Sequence, residues 1–94
     1  MTYDETLAAR LRPRLGAGVT AKRMFGGLVY LRDGKIVAGV YGSDLLVRVG
    51  AEGMAEALAR PGVRPFAMAE RKTRGFVLVE PDRINEWYPA AASG

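Results

Sequence analysis

The apolar residues of this chain change their spacing near Val19, and that change separates a helical stretch from an extended one. Before it, Leu7, Ala8, Leu11 and Leu15 recur at three- to four-residue intervals and form one stripe of a helix. Thr2-Tyr3-Asp4-Glu5 reads as a capping box, with the Thr2 hydroxyl accepting from the Glu5 amide and the Glu5 carboxylate accepting from the Thr2 amide. Asp4 and Glu5 at the start, and Arg10, Arg12 and Arg14 toward the end, complement the helix dipole. Pro13 predicts a kink or a stop, and Gly16-Ala17-Gly18 predicts the end.

From Val19 to Val49 the pattern is that of a β-meander. Asp33-Gly34 lies between Leu28-Val29-Tyr30-Leu31 and a run from Ile36 to Tyr41, the pairing that a tight hairpin turn with two positive φ angles requires. Gly42-Ser43 turns the chain into a strand over Leu45–Val49, and Thr20 to Met24 supplies a strand before the hairpin. Several strands are apolar at consecutive positions, which predicts a sheet covered on both faces. Helices cover one face; a partner subunit is the expected cover for the other, which makes a homodimer an expectation.

A second helix is predicted over Ala51–Leu58, with Met54, Leu58 and the alanines inward and Glu52 and Glu56 outward, ended by Arg60-Pro61-Gly62. A second hairpin follows, with Ala67-Met68-Ala69 and Phe76-Val77-Leu78-Val79 joined through Arg71–Gly75. Glu80-Pro81-Asp82 then opens a short helix through Ile84 and Trp87, with Trp87 and Tyr88 packing it onto the sheet, and the tail from Pro89 is expected to fray. The reading is an α+β chain: a two-layer sandwich of one antiparallel sheet with helices mainly on one face, in the order α, three or four β, α, two β, α.

At 94 residues the chain is expected to form a single domain over residues 1–94, and 49% apolar against 26% charged residues is a globular balance. No leader pattern and no membrane-length apolar run is evident, so a cytoplasmic location is expected. Cysteine and histidine are both absent, which excludes thiolate and imidazole catalysis and the usual soft metal ligands. Of the remaining chemistry, the carboxylates show no placed pairing, and Glu52 and Glu56 read as a solvated helix exterior. No catalytic, metal or cofactor residues are assigned, and no cofactor is expected. A small enzyme using carboxylates is the weakest of the functional readings.

The net charge of +4 brings nucleic acid into consideration. Two basic clusters stand out: Lys22-Arg23 beside a glycine turn, and Arg71-Lys72-Thr73-Arg74 at the expected tip of the second hairpin. The segment of first interest is Met24-Phe25-Gly26-Gly27. Two glycines inside a sheet pattern mark a bulge or a close backbone approach, with Met24 and Phe25 read as core, and their spacing is not that of a phosphate cradle. The candidate interaction residues are therefore Lys22, Arg23, Met24, Phe25, Gly26, Gly27, Arg71, Lys72 and Arg74.

Arg23-Met24-Phe25-Gly26-Gly27, then Leu31 through Gly34, the Leu45–Val49 strand, Pro65-Phe66 and the approach to Glu80-Pro81-Asp82 together resemble the N-terminal domain of the TfoX/Sxy family, proteins associated with natural competence in bacteria. The resemblance runs from about Leu7 to Trp87. It implies a fold like that of secretion chaperones and a cytoplasmic regulator without catalytic residues. It also implies that two-domain members carry a following helical domain, which the sequence to Gly94 does not contain, so a role that depends on that domain is not carried over. The leading expectation is a regulatory or adaptor module that binds a protein partner, linked to transcriptional or competence control. Direct nucleic-acid binding through the basic loops is the alternative.

Overall fold

A computed structural model of the chain describes residues 3–24, 26–66 and 75–89. The first helix, α1, spans Glu5–Leu11 and buries Leu7, Ala8 and Leu11. Its cap is Asp4 rather than the expected Thr2: Asp4 has extended backbone, and its carboxylate accepts from the Leu7 amide at 3.1 Å. Asp4 takes this place because its own amide is fixed to the Gly42 carbonyl at 2.8 Å, which sets the residue just ahead of the first turn. Pro13 acts as expected. α-Helical bonding stops at Leu11, and a 3-10 turn over Arg12–Leu15 carries the chain to Gly16 at φ 81°.

Among the described residues, six strands follow in a single antiparallel sheet: β1 (Thr20–Met24), β2 (Gly27–Arg32), β3 (Lys35–Tyr41), β4 (Asp44–Arg48), β5 (Val63–Pro65) and β6 (Phe76–Val79), in the spatial order β1-β2-β3-β4-β6-β5. Asp33 and Gly34 have φ of 53° and 78°, the two positive values that the Asp-Gly hairpin calls for. Between the Tyr30–Ala38 and Leu31–Ile36 pairs the register slips by one, leaving Val37 as a bulge in β3. Helix α2 (Gly50–Leu58) crosses from β4 to β5, and a 3-10 turn over Pro81–Arg83 leads into α3 (Ile84–Trp87). Layers of sheet and helix make this an α+β fold.

Two expectations about side chains and strands need correction. Leu58 is 38% exposed, and the buried residue of α2 is Ala57. The face turned to the core runs through Met54 and Ala57, and Leu58 lies one residue beyond Ala57. The strand that pairs with β6 is Val63–Pro65, in the register Val63↔Val79 and Pro65↔Val77, within a stretch that reads from sequence as connection. Proline hides a strand from propensity, yet an edge strand tolerates it when its missing donor faces outward. The expected strand at Ala67–Ala69 and the tip at Arg71–Arg74 lie outside the described residues.

The sheet has an apolar cluster on each face. On the helix side, Leu7, Ala8 and Leu11 of α1, Ala57 of α2 and Ile84 of α3 pack on Tyr30, Ala38, Val40, Leu45, Val47, Val77 and Val79. On the other side, Val29, Leu46, Phe66, Phe76 and Leu78 form a second cluster with Met24, Leu31, Ile36 and Tyr41 against it. The ring of Tyr41 meets that of Phe66 edge-on at 4.9 Å. Among the described residues, no helix contributes to this cluster. The run of apolar residues Leu45-Leu46-Val47 in β4 thus has its physical cause: both pleat faces are buried.

The C-terminal helix is held by side chains from distant parts of the chain. Arg14 donates to the Asn85 side-chain oxygen at 2.5 Å and to the Tyr88 carbonyl at 3.0 Å, while the Arg60 guanidinium lies 3.9 Å from the centre of the Trp87 ring. Trp87 and Tyr88 both pack against the helix-side core. The Tyr88 hydroxyl reaches the Val37 carbonyl at the bulge, at 3.4 Å, and burial pushes its pKa well above the ordinary 10.0. Tyr30 is also raised, by burial against the opposing pull of Arg12. Folding therefore holds these phenols protonated. Their stabilisation is complete below the ordinary phenol value and is lost as pH rises through the folded-state values. Denaturant midpoints followed into the alkaline range should fall, and Tyr88→Phe should make that fall shallower. An unchanged alkaline slope in the variant would show that Tyr88 is not responsible.

Candidate functional site

Of the residues singled out, Lys22, Arg23, Met24, Gly26 and Gly27 lie on one feature, the hairpin of β1 and β2 at the edge of the sheet. Thr20, Ala21, Lys22 and Arg23 are exposed, and Met24 is half-buried against the second cluster. Gly26 turns the chain at φ 78°, where an added Cβ meets nothing within 4 Å. Gly27 is a different case: a Cβ there would collide with the Val40 carbonyl oxygen, so β2 approaches the β3 backbone more closely than any side chain permits. The two glycines thus have separate reasons, one a turn and the other a close approach. Phe25, Arg71, Lys72 and Arg74 lie outside the described residues.

Register fixes which backbone groups of β1 are free. Met24 pairs with Gly27 across a two-residue loop, and the pair closing such a loop turns its polar backbone groups toward its partner strand. Lys22 and Thr20 follow by alternation. Ala21 and Arg23 therefore aim their N–H and C=O groups away from β2, into solvent. Carried across the sheet through the Tyr41–Asp44 hairpin and β4, the same alternation points Val63 and Pro65 outward from β5. That edge is three residues long, and one of its two outward positions has no N–H to offer. Among the described residues the two sheet edges are unequal, and β1 is the open one.

Two cations, Lys22 and Arg23, lie on this edge itself. Residues 6–32 contain Arg10, Arg12, Arg14, Lys22, Arg23 and Arg32 and no aspartate or glutamate. Arg14 is taken up by Asn85 and Tyr88, and Arg32 donates to the Leu15 carbonyl. Lys22 lies on the sheet face of Val29, its cross-strand neighbour, and Arg23 lies on the face of Leu28. Adjacent residues of β1 thus put one positive charge on each face of the sheet.

Beneath the edge, on the helix side, α1, the 3-10 turn and the loop to β1 enclose an open cleft of about 660 Å³. Its walls are mainly Ala8, Ala9, Pro13 and Val19, with the Tyr30 ring and Arg12 as the polar contributors. The Tyr30 hydroxyl already donates to the Ala8 carbonyl at 3.1 Å. Acid–base chemistry has no pair to work with here. Among the described residues, no group of three or more His, Cys, Asp or Glu side chains comes together, and no helix is long and apolar enough to cross a membrane.

The model of the TfoX N-terminal domain family fits residues 10–88. The chain belongs to the TfoX N-terminal domain family. No curated protein and no solved structure gives a significant match. The TfoX N-terminal domain match includes the whole of the described sheet, so the β1 edge, its two glycines and the bulge in β3 all lie within the family's domain.

Sequence reasoning picked out Lys22 and Arg23 for their charge and Gly26-Gly27 for their conformation. What it missed is that β1 ends the sheet, a property of strand order. A signal was present: Met24 is the single large apolar residue of Thr20–Met24, where β2, β3, β4 and β6 each carry three or more.

Proposed function

We propose that this chain is a non-enzymatic adaptor that binds a protein partner, and that it serves transcriptional or competence regulation through that contact. The observation that carries the reading is the open β1 edge: two residues with outward N–H and C=O groups, exposed, beside a basic surface. Main-chain groups left unpaired at a sheet edge bind an extended segment by strand addition. Family membership supports a regulatory setting. A second copy of the chain is a further candidate partner.

Nucleic acid is the second reading, favoured by the carboxylate-free stretch of six cations over residues 6–32. The test that separates the two is affinity capture from a cell extract with the folded protein, with and without nuclease, beside a Lys22→Glu, Arg23→Glu double variant. The adaptor reading expects a specific protein that survives nuclease treatment and is lost with the variant. Recovery that vanishes with nuclease, or no specific protein at all, contradicts it.

A further inference from the structure

We infer that the β1 edge takes an extended acidic segment of another protein, one with two consecutive carboxylate residues opposite Lys22 and Arg23. This rests on the strand-addition reading above and goes further, to the chemistry of the partner. An added strand lies roughly 4.8 Å beyond β1 and exchanges hydrogen bonds with the outward groups of Ala21 and Arg23. Its side chains alternate between the two faces of the sheet, as those of β1 do. Lys22 stands on the face of Val29 and Arg23 on the face of Leu28. Two neighbouring acidic residues on the added strand therefore meet one cation each. A segment with acidic residues at every second position meets only one of the two.

Self-association fits the same edge less well. Antiparallel pairing of two copies about a two-fold axis allows three registers that join outward residues to outward residues. A register matching Ala21 with Arg23 sets Lys22 directly against the Lys22 of the second copy. One centred on Arg23 sets Arg23 against Arg23. Like charges directly opposite on paired strands are destabilising. The register centred on Ala21 avoids that opposition but still sets the two Lys22 side chains diagonally across the paired strands on one face, within reach of each other. Lysine on an edge strand is a recognised guard against self-pairing. It is also an attraction for an acidic strand.

The experiment titrates the folded protein with short synthetic peptides of Val and Thr carrying Glu-Glu, Gln-Gln or Lys-Lys at the centre. A Glu-Thr-Glu peptide, a single-stranded oligodeoxynucleotide and an Ala21→Pro variant complete the set. Proline at an outward edge position removes a donor that β2 does not use, so the variant keeps its sheet, which circular dichroism and the denaturant midpoint check. The Glu-Glu peptide should bind best, the Gln-Gln peptide about two- to thirtyfold more weakly for the loss of two cross-strand ion pairs, and Lys-Lys weakest. Ala21→Pro should abolish binding of all of them. Equal affinity for Glu-Glu and Gln-Gln, with loss in Ala21→Pro, overturns the acidic preference and leaves strand addition standing. Glu-Glu binding that is indifferent to Ala21→Pro, or no peptide binding at all, overturns both. Oligonucleotide binding tighter than Glu-Glu and insensitive to Ala21→Pro makes the edge a polyanion surface, and a wild-type dimer that Ala21→Pro converts to monomer makes a second copy the occupant. Each of those overturns the inference.

Discussion

Leu45→Ala and Leu46→Ala should destabilise the protein by similar amounts, about 2–5 kcal/mol each, although the two side chains point to opposite faces of the sheet. Leu45 is 0% exposed within the helix-side core, and Leu46 is 1% exposed within the second cluster. Each deletion removes apolar contact and leaves a void that close-packed neighbours fill only in part. In a sheet with one wet face the two would differ sharply, since truncating an exposed leucine costs little. Against a total of about 5–15 kcal/mol for a domain, either loss is large. Urea unfolding of both variants reads the two values directly. A cost below about 1 kcal/mol for Leu46→Ala would show that Val29, Leu46, Phe66, Phe76 and Leu78 do not form a second core.

Gly39→Ala is expected to rank next, at about 1–3 kcal/mol or more, by strain instead of lost burial. A Cβ at Gly39 would lie 2.5 Å from the Leu28 carbonyl oxygen and 3.1 Å from the Val29 Cα. Both are backbone atoms of the adjacent strand, so no rotamer change makes room and β2 must part from β3. Gly27 meets the Val40 carbonyl in the same way from the other strand, so Gly27→Ala should share the effect. Gly34→Ala is the control: an added Cβ there meets nothing within 4 Å, and the cost is the roughly 1–2 kcal/mol of a left-handed residue. Thermal midpoints for the three variants test the order. If Gly39→Ala proves cheaper than Gly34→Ala, the strands are not as closely apposed as described. The adaptor reading also ties Gly27→Ala to function, because parting β2 from β3 moves the β1 edge with it.

Local features of this fold were legible because they depend on neighbours in sequence. Asp33-Gly34 demands its turn, Pro13 ends α-helical bonding within two residues of Leu11, and the runs of consecutive apolar residues announced a sheet buried on both sides. The misreadings have physical causes too. Val63–Pro65 escaped notice because proline and two turn residues mask a strand that only its pairing with β6 makes evident. Leu58 has the right spacing from Met54 to be core, but the helix packs on the sheet-side core through Met54 and the buried Ala57, and Leu58 turns outward. Thr2 fits a capping box, whereas a backbone bond from Asp4 to Gly42 decides where the helix begins. At the candidate site, charge and glycine were visible and edge position was not, since strand order depends on contacts between residues far apart in the chain. The direction of the Ala21 and Arg23 amides followed only once the register of β1 with β2 was known.

Residue-resolved amide hydrogen exchange of the folded protein, with and without the Glu-Glu peptide, tests the central claim most directly. The account predicts that the Ala21 and Arg23 amides exchange freely in the protein alone and become protected with peptide bound, while the amides of Lys22 and Met24, already directed at β2, change little. Protection that appears elsewhere, or leaves Ala21 and Arg23 exchanging as before, would contradict strand addition at β1.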